Sequence, residues 1–259
     1  MCLIVFAYDL HPQYRLIVAA NRDEFYERPT TAVDWWEDHP QILAGRDNQA
    51  GGTWLGIHRS GRWSALTNYR EAAPLLKDAP SRGDLVASFL KNDQATETYL
   101  KELQASIQTY NGFNLVVDDG EQIGYISNRG QTVEILKPGL YGLSNHLLDT
   151  PWPKVRKVKE KLAQLIEQEN KLNPAHILSL LHDTELAADE QLPETGIKLE
   201  WERLLSAMFI QSPTYGTRVS TVLLIDHQNH ITFVEKDIKT EIERSFQFSA
   251  EKESINYEL

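Results

Sequence analysis

Two short, almost unbroken apolar runs open the chain. Residues 2–8 are apolar throughout and residues 15–20 nearly so. Runs of this length suit strands covered on both faces. The polar stretch between them, Asp9-Leu10-His11-Pro12-Gln13, reads as a turn, so the pattern predicts an N-terminal hairpin. Residues 53–58 and 62–68 predict a second hairpin around Arg59-Ser60-Gly61, with glycine as the turn residue.

Helical spacing follows. Ser81-Arg82-Gly83-Asp84 has the form of a capping box, with Asp in place of Glu, and predicts a helix to Lys91. Residues 94–110 predict another, with Leu100, Leu103 and Ile107 on one face. Strands are predicted at 113–117, 122–127, 132–136 and 141–144, punctuated by Asp119-Gly120 and Arg129-Gly130. Amphipathic helices follow at 153–169 and 174–182, then an acidic stretch, 183–200, that reads as a surface loop. A late hairpin pairs 220–226 with 231–235, and a short strand follows at 245–248. Strands come as antiparallel hairpins and helices in blocks, not in regular alternation. The expected class is therefore α+β, sheets covered by helices, in one domain spanning 1–259.

Charge and composition narrow the function classes. The 259 residues carry a net charge of −11, which argues against nucleic-acid binding and docking on anionic lipid, though not against a small anionic ligand held by local arginines. No run of about 18 apolar residues exists, so no membrane insertion is expected. The start MCLIVFAYDL lacks a basic segment and meets Asp9 too early for a signal peptide. One cysteine permits no intrachain disulfide, and the simplest location is the cytoplasm. No G-x-G-x-x-G, P-loop or H-E-x-x-H occurs, and Gly142-Leu143-Ser144-Asn145-His146 fails as a nucleophile elbow at its last position. His227 and His230 could reach one metal from a turn, but two histidines at a loop tip read more simply as polar turn residues, and neither metal nor cofactor is expected.

The lone cysteine, Cys2, directly follows the initiator Met. Its small side chain is compatible with removal of Met1, which would place a thiol and a free α-amine on one residue. The amine titrates near about 8 and the thiol near about 8.5, so the amine can act as the thiol's general base without a histidine. The alternative is a small apolar residue at the start of a core strand. Asn21-Arg22-Asp23-Glu24 ends the strand expected to pair with residues 2–8. There a carboxylate can hold the α-ammonium and Arg22 can favour a thiolate; otherwise the segment is a polar strand end leading into a 25–29 loop. Asn68 and Asn145 each end a strand and can donate to an oxyanion, or serve only as turn residues. Arg218 leads into another strand and can bind an anion or make a surface salt bridge. Trp54, with Trp35, Trp36 and Trp63, fills core or walls a pocket.

Five segments together carry a resemblance: Met1-Cys2-Leu3-Ile4, Ala20-Asn21-Arg22-Asp23-Glu24, Gly51-Gly52-Thr53-Trp54-Leu55-Gly56, Ala65-Leu66-Thr67-Asn68-Tyr69-Arg70 and Gly142-Leu143-Ser144-Asn145. In this order they resemble the NRDE family, also called the transport-and-Golgi-organisation-two family, over residues 1 to about 236. The resemblance implies an Ntn-hydrolase-like four-layer αββα sandwich with two mostly antiparallel sheets. More distantly, the pattern is similar to the choloylglycine hydrolases, which cleave amides with an N-terminal cysteine. Carried over, Cys2 is the nucleophile, Asp23 binds its amine, and Asn68 and Asn145 lie at the oxyanion hole. Ala20 stands where those hydrolases carry Arg, a role left to Arg22 or Arg218. With Trp54, these two arginines are the expected substrate contacts. The implied partner is a small molecule, either an amide or ester to be cleaved, or a haem or acyl-CoA carried without chemistry.

Overall fold

A computed structural model describes residues 2–130 and 132–251. Met1, whose removal the sequence predicts, lies outside them. The N-terminal hairpin forms as expected, from β1 (Cys2–Tyr8) and β2 (Tyr14–Phe25). Five more strands follow: β3 (Thr30–Trp35), β4 (Ile42–Asp47), β5 (Leu55–His58), β6 (Trp63–Asn68) and β7 (Phe113–Asp118). Then come β8 (Ile123–Ser127), β9 (Val133–Ile135), β10 (Gly139–Leu143), β11 (Tyr215–Asp226), β12 (His230–Asp237) and β13 (Glu243–Ser249). Helices are α1 (Gly83–Lys91), α2 (Thr96–Gln104), α3 (Pro153–Gln168), α4 (Pro174–Leu180) and α5 (Leu199–Leu204). No helix among the described residues is long and apolar enough to cross a membrane.

Two antiparallel sheets result, ordered β10-β1-β2-β11-β12-β13 and β3-β4-β5-β6-β7-β8-β9. Alternation of side chains across each strand builds three apolar layers. Ile4, Phe6, Leu16, Val18 and Ala20 of the first sheet meet Leu43, Leu55, Ile57 and Trp63 of the second between the sheets. Leu3, Val5, Ala7, Ile17 and Ala19 face the other way, against Val155, Val158 and Leu162 of α3 and Ile177 and Leu178 of α4. The outer face of the second sheet packs Leu115 and Val117 on Leu85, Val86, Phe89 and Leu90 of α1 and Leu100 and Leu103 of α2. The four layers are helices, sheet, sheet, helices: an α+β αββα sandwich. The unbroken apolar run of residues 2–8 has its cause here, because β1 is covered on both faces.

Several elements differ from expectation. β2 does not stop at residue 20 but continues through Asn21-Arg22-Asp23-Glu24 to Phe25, with Asn21, Arg22 and Asp23 buried. β3 and β4 were not expected from the sequence pattern. β3 is of mixed polarity because it is the outer strand of its sheet, and β4 turns from buried Ile42-Leu43-Ala44 to Arg46-Asp47 where it reaches a cavity. The expected 183–200 loop runs into α5. The helix at residue 83 has Arg82 at its N-cap and no side-chain cap, so Ser81 and Asp84 form no capping box. The chain is held there by backbone instead: Thr53 N–H donates to Gly83 O at 3.3 Å. At Gly52 a Cβ would lie 2.5 Å from the Gly83 carbonyl carbon and 2.7 Å from its oxygen. Neither backbone can yield cheaply, so Gly52→Ala is expected to destabilise by about 1–3 kcal/mol, read as a lower urea midpoint.

Candidate active site

One end of the sandwich holds a cavity of about 430 Å3 whose lining includes Cys2, Arg22, Asp23, Glu24, Trp54, Asn68, Arg82, Arg218 and Glu235. Cys2 opens β1 and pairs in register with Arg22 of β2. Alternation along β2 puts Arg22 on the face that Ala20 shares with the inter-sheet core, and Asp23 on the face that α3 covers. Ala20 is fully buried in that core. The nearest cation along β2 is therefore Arg22, directly across from the cysteine.

Cys2 is 7% exposed. Burial pushes its thiol up, and the Asp23 carboxylate adds to that; Arg22 and the Asp23 backbone N–H act in the opposite sense. Asp23 is itself pushed up by burial and pulled down by Lys154, by a 2.8 Å hydrogen bond from Thr217 Oγ1 and by Arg22. Thr217 is placed for this by the pairing of β11 with β2, which shifts register between Thr217 and Val219. The residue squeezed into that irregularity is Arg218. Its guanidinium turns back on the 25–30 segment, donating to Phe25 O, Arg28 O and Thr30 Oγ1. Such an irregularity re-aims a side chain at the rim of a sheet. Arg22 lies 3.6 Å from Glu24 and 3.8 Å from Asp47.

The two asparagines occupy different positions. Asn68, at the end of β6, faces the cavity. Asn145, just past β10, is fully buried, is not among the lining residues, and donates from Nδ2 to Asn68 O at 2.9 Å. Thr67 Oγ1 donates to Ser144 O, and Ser144 Oγ to Cys2 O at 3.0 Å. These bonds tie the end of one sheet to the end of the other beside the cysteine. Trp54 lines the cavity and packs against the inter-sheet core. His227 and His230 lie on the far hairpin, where His230 pairs with Asp226 at 2.9 Å and His227 meets His11 O at 3.3 Å.

Sequence reasoning missed four residues that the fold brings here. Lys154 from the first turn of α3 is 3% exposed. Arg70 and Glu202 form a buried ion pair at 2.6 Å, with Arg70 stacked 4.5 Å over Trp152. Burial drives the Tyr215 phenol well above its usual value, with Asp23 and Cys2 adding to it. Only Lys154 carried a sequence signal: it stands four residues before Val158 and eight before Leu162, on the apolar stripe of its helix. Beyond Asn68 and Glu24 lies a second hollow of about 470 Å3, lined mainly by Phe25, Ile197, Trp201, Leu205 and Tyr215.

Glu235 lines the same cavity and also ties two strands together. Its Oε1 accepts from Val33 N at 3.0 Å, linking β12 to β3 across the sandwich, and burial raises its carboxyl to about 7. A folded value above the unfolded 4.5 means the native state keeps the proton longer. The linked stability is complete below about pH 4.5 and is lost as pH rises through about 7. Glu235→Gln imitates the neutral acid. Urea titrations are expected to show it more stable than wild type at pH 8, by on the order of 1–2 kcal/mol, and similar at pH 5.

A family model described as "Transport and Golgi organisation 2" matches residues 1–240. The transport and Golgi organization protein 2 homolog of Bos taurus is 40% identical over 262 residues, 92% of this chain and 93% of that protein. The Homo sapiens homolog is 38% identical over 275 residues, 96% of this chain and 99% of that protein. Among solved structures, the C2A mutant of a conjugated bile acid hydrolase from Clostridium perfringens superposes with a TM-score of 0.51. It shares 8% identity and covers 99% of this chain and 100% of that one. At that identity the likeness is one of fold, the Ntn-hydrolase αββα sandwich.

Proposed function

This chain belongs to the transport and Golgi organisation 2 family, and on that premise we propose that it is an N-terminal-cysteine amidohydrolase acting on an amide or ester bond of a small molecule. One observation carries the reading. The thiol-bearing first strand ends in a polar cavity with Arg22 directly across from Cys2, Asp23 adjoining and Asn68 in the same wall.

With Met1 removed, the Cys2 α-amine accepts the thiol proton, Asp23 holds the resulting ammonium, and Arg22 favours the thiolate. Sulfur adds to the substrate carbonyl, and its oxygen takes the negative charge. The Asn68 amide donates to that oxyanion, while Asn145 holds Asn68 in place through its backbone carbonyl. Collapse breaks the scissile bond, with the α-ammonium returning its proton to the leaving amine or alcohol. Water, deprotonated by the freed amine, then cleaves the thioester and restores the thiol. The two hollows meet at Glu24 and Asn68. A substrate with a polar end among the arginines and an apolar arm against Phe25 and Trp201 therefore sets its carbonyl near Cys2. A reducing compartment such as the cytoplasm keeps the single thiol available.

The test is the intact mass of natively expressed protein, before and after an electrophilic acyl probe. Loss of Met1 and one adduct on Cys2 support the reading; a retained Met1 removes the base and overturns it. Saturable binding of haemin or an acyl-CoA without any adduct would favour carriage instead.

A further inference from the structure

We propose that Lys154 is the charge-compensating residue of the Cys2–Asp23 pair, the buried cation that allows thiolate and carboxylate to be ionised together. The proposal rests on the nucleophile reading above. Lys154 sits in a place that stability alone does not explain. It is 3% exposed, and its Nζ has no hydrogen-bond partner among the described residues. Lysine is almost never buried to that degree unless paired. It also stands in the first turn of a 16-residue helix, where the helix dipole disfavours a cation. Burial and dipole both act against the charge here.

The neighbours supply the reason. Lys154 is buried in the first turn of α3, the helix that covers the Asp23 face of the first sheet, and the charges that act on it are Asp23, Arg70, Cys2 and Glu202. Arg70 and Glu202 neutralise each other at 2.6 Å. That leaves the Lys154 ammonium for Asp23, and it is the strongest influence holding that buried carboxyl down. Around Cys2 the other groups are Arg22, Arg82 and the Tyr215 phenol. Arg22 is already close to Glu24 and Asp47. Burial lowers the Lys154 ammonium to about 8, with Asp23 opposing the drop, so at neutral pH it stays charged. When the thiol proton passes to the α-amine, a second negative charge appears beside Asp23 together with the positive charge of the ammonium. Lys154, on the α3 side, supplies the second cation, so that two cations balance the two anions. It lines neither hollow, so it acts through Cys2 and Asp23 as a positioning residue.

The experiment follows alkylation of Cys2 by iodoacetamide, read by intact mass between about pH 5.5 and 9.5, in wild type, Lys154→Met and Lys154→Arg. The steep rise of the rate should move up by about one pH unit in Lys154→Met, a roughly tenfold loss at pH 7. Lys154→Arg, which keeps the charge, should stay within about twofold of wild type. A Lys154→Met profile that overlays wild type overturns the proposal, as does Lys154→Arg behaving like Lys154→Met. Should Lys154→Met fail to fold, the side-chain resonances of 15N-lysine-labelled wild type decide. A lysine ammonium whose titration shifts when Cys2 is alkylated supports the assignment, and lysine titrations that alkylation leaves unchanged refute it. The nucleophile reading is judged separately: it fails if wild-type Cys2 reacts no faster than free cysteine, whatever the variants do.

Discussion

Cys2→Ala should lose the covalent adduct entirely and reduce any hydrolysis by at least about 10⁴-fold, the scale seen when a nucleophile is removed. Its fold should survive. Cys2 sits at the very start of β1, and trimming one sulfur from that edge costs about 1 kcal/mol. The variant also keeps a small second residue, so it is expected to lose Met1 as wild type would and to keep the α-amine. The comparison thereby isolates the thiol from the amine. Mass spectrometry with the acyl probe reads the first effect and a thermal melt reads the second. Turnover that persists in folded Cys2→Ala would assign the chemistry to some other group.

Arg70→Met should be the most damaging single change to stability beside the site. Arg70 and Glu202 side chains are 2% and 5% exposed, and their ion pair is at 2.6 Å. Removing one partner strands a buried charge, which costs about 3–5 kcal/mol. For a chain of this size that lowers the melting temperature by roughly 10 °C. Glu202 has other partners, accepting from Thr195 N–H at 3.1 Å and from Thr195 Oγ1. Those bonds are made by a carboxylate, so they do not neutralise it. Arg70→Met combined with Glu202→Met removes both charges and should recover most of the loss. Single and double variants melting alike would show that the pair is not desolvated as its burial indicates.

Much of the sandwich was legible from apolar spacing. The strands buried on both faces, β1 and the core of β2, announce themselves because every position must be apolar. The amphipathic α3 is equally plain, since one face meets the sheet and the other meets water. β3 was not legible, because an outer strand alternates only partly and its burial comes from the opposite sheet and the late hairpin. The charged end of β2 misled for a related reason. Asn21, Arg22 and Asp23 look like an exit to solvent, yet Asn21 Nδ2 reaches Leu181 O at 3.1 Å and Met208 O at 2.8 Å. Partners that distant in sequence leave no local trace.

The site divides along the same line. Cys2, Arg22, Asp23, Asn68, Trp54 and Arg218 all line the cavity, drawn from four strands and the turn before β5. Asn145 is present one layer behind, gripping Asn68. Arg70 and Glu202 come together from positions 132 residues apart and could not be paired from sequence. Lys154 was readable only as a discord, a cation on an apolar stripe.

The strand order has a consequence for synthesis. β1 comes before every other described element in the chain, yet its two lateral neighbours are β2 and β10, and β2 is in turn flanked by β11. Thr217, Glu202 and Lys154 all belong to the second half of the chain. A nascent polypeptide therefore cannot complete the surroundings of Cys2 until β10 and β11 have been made. On the nucleophile reading, the groups that would act on the thiol therefore come together late in synthesis, after α3 and β11 have been made.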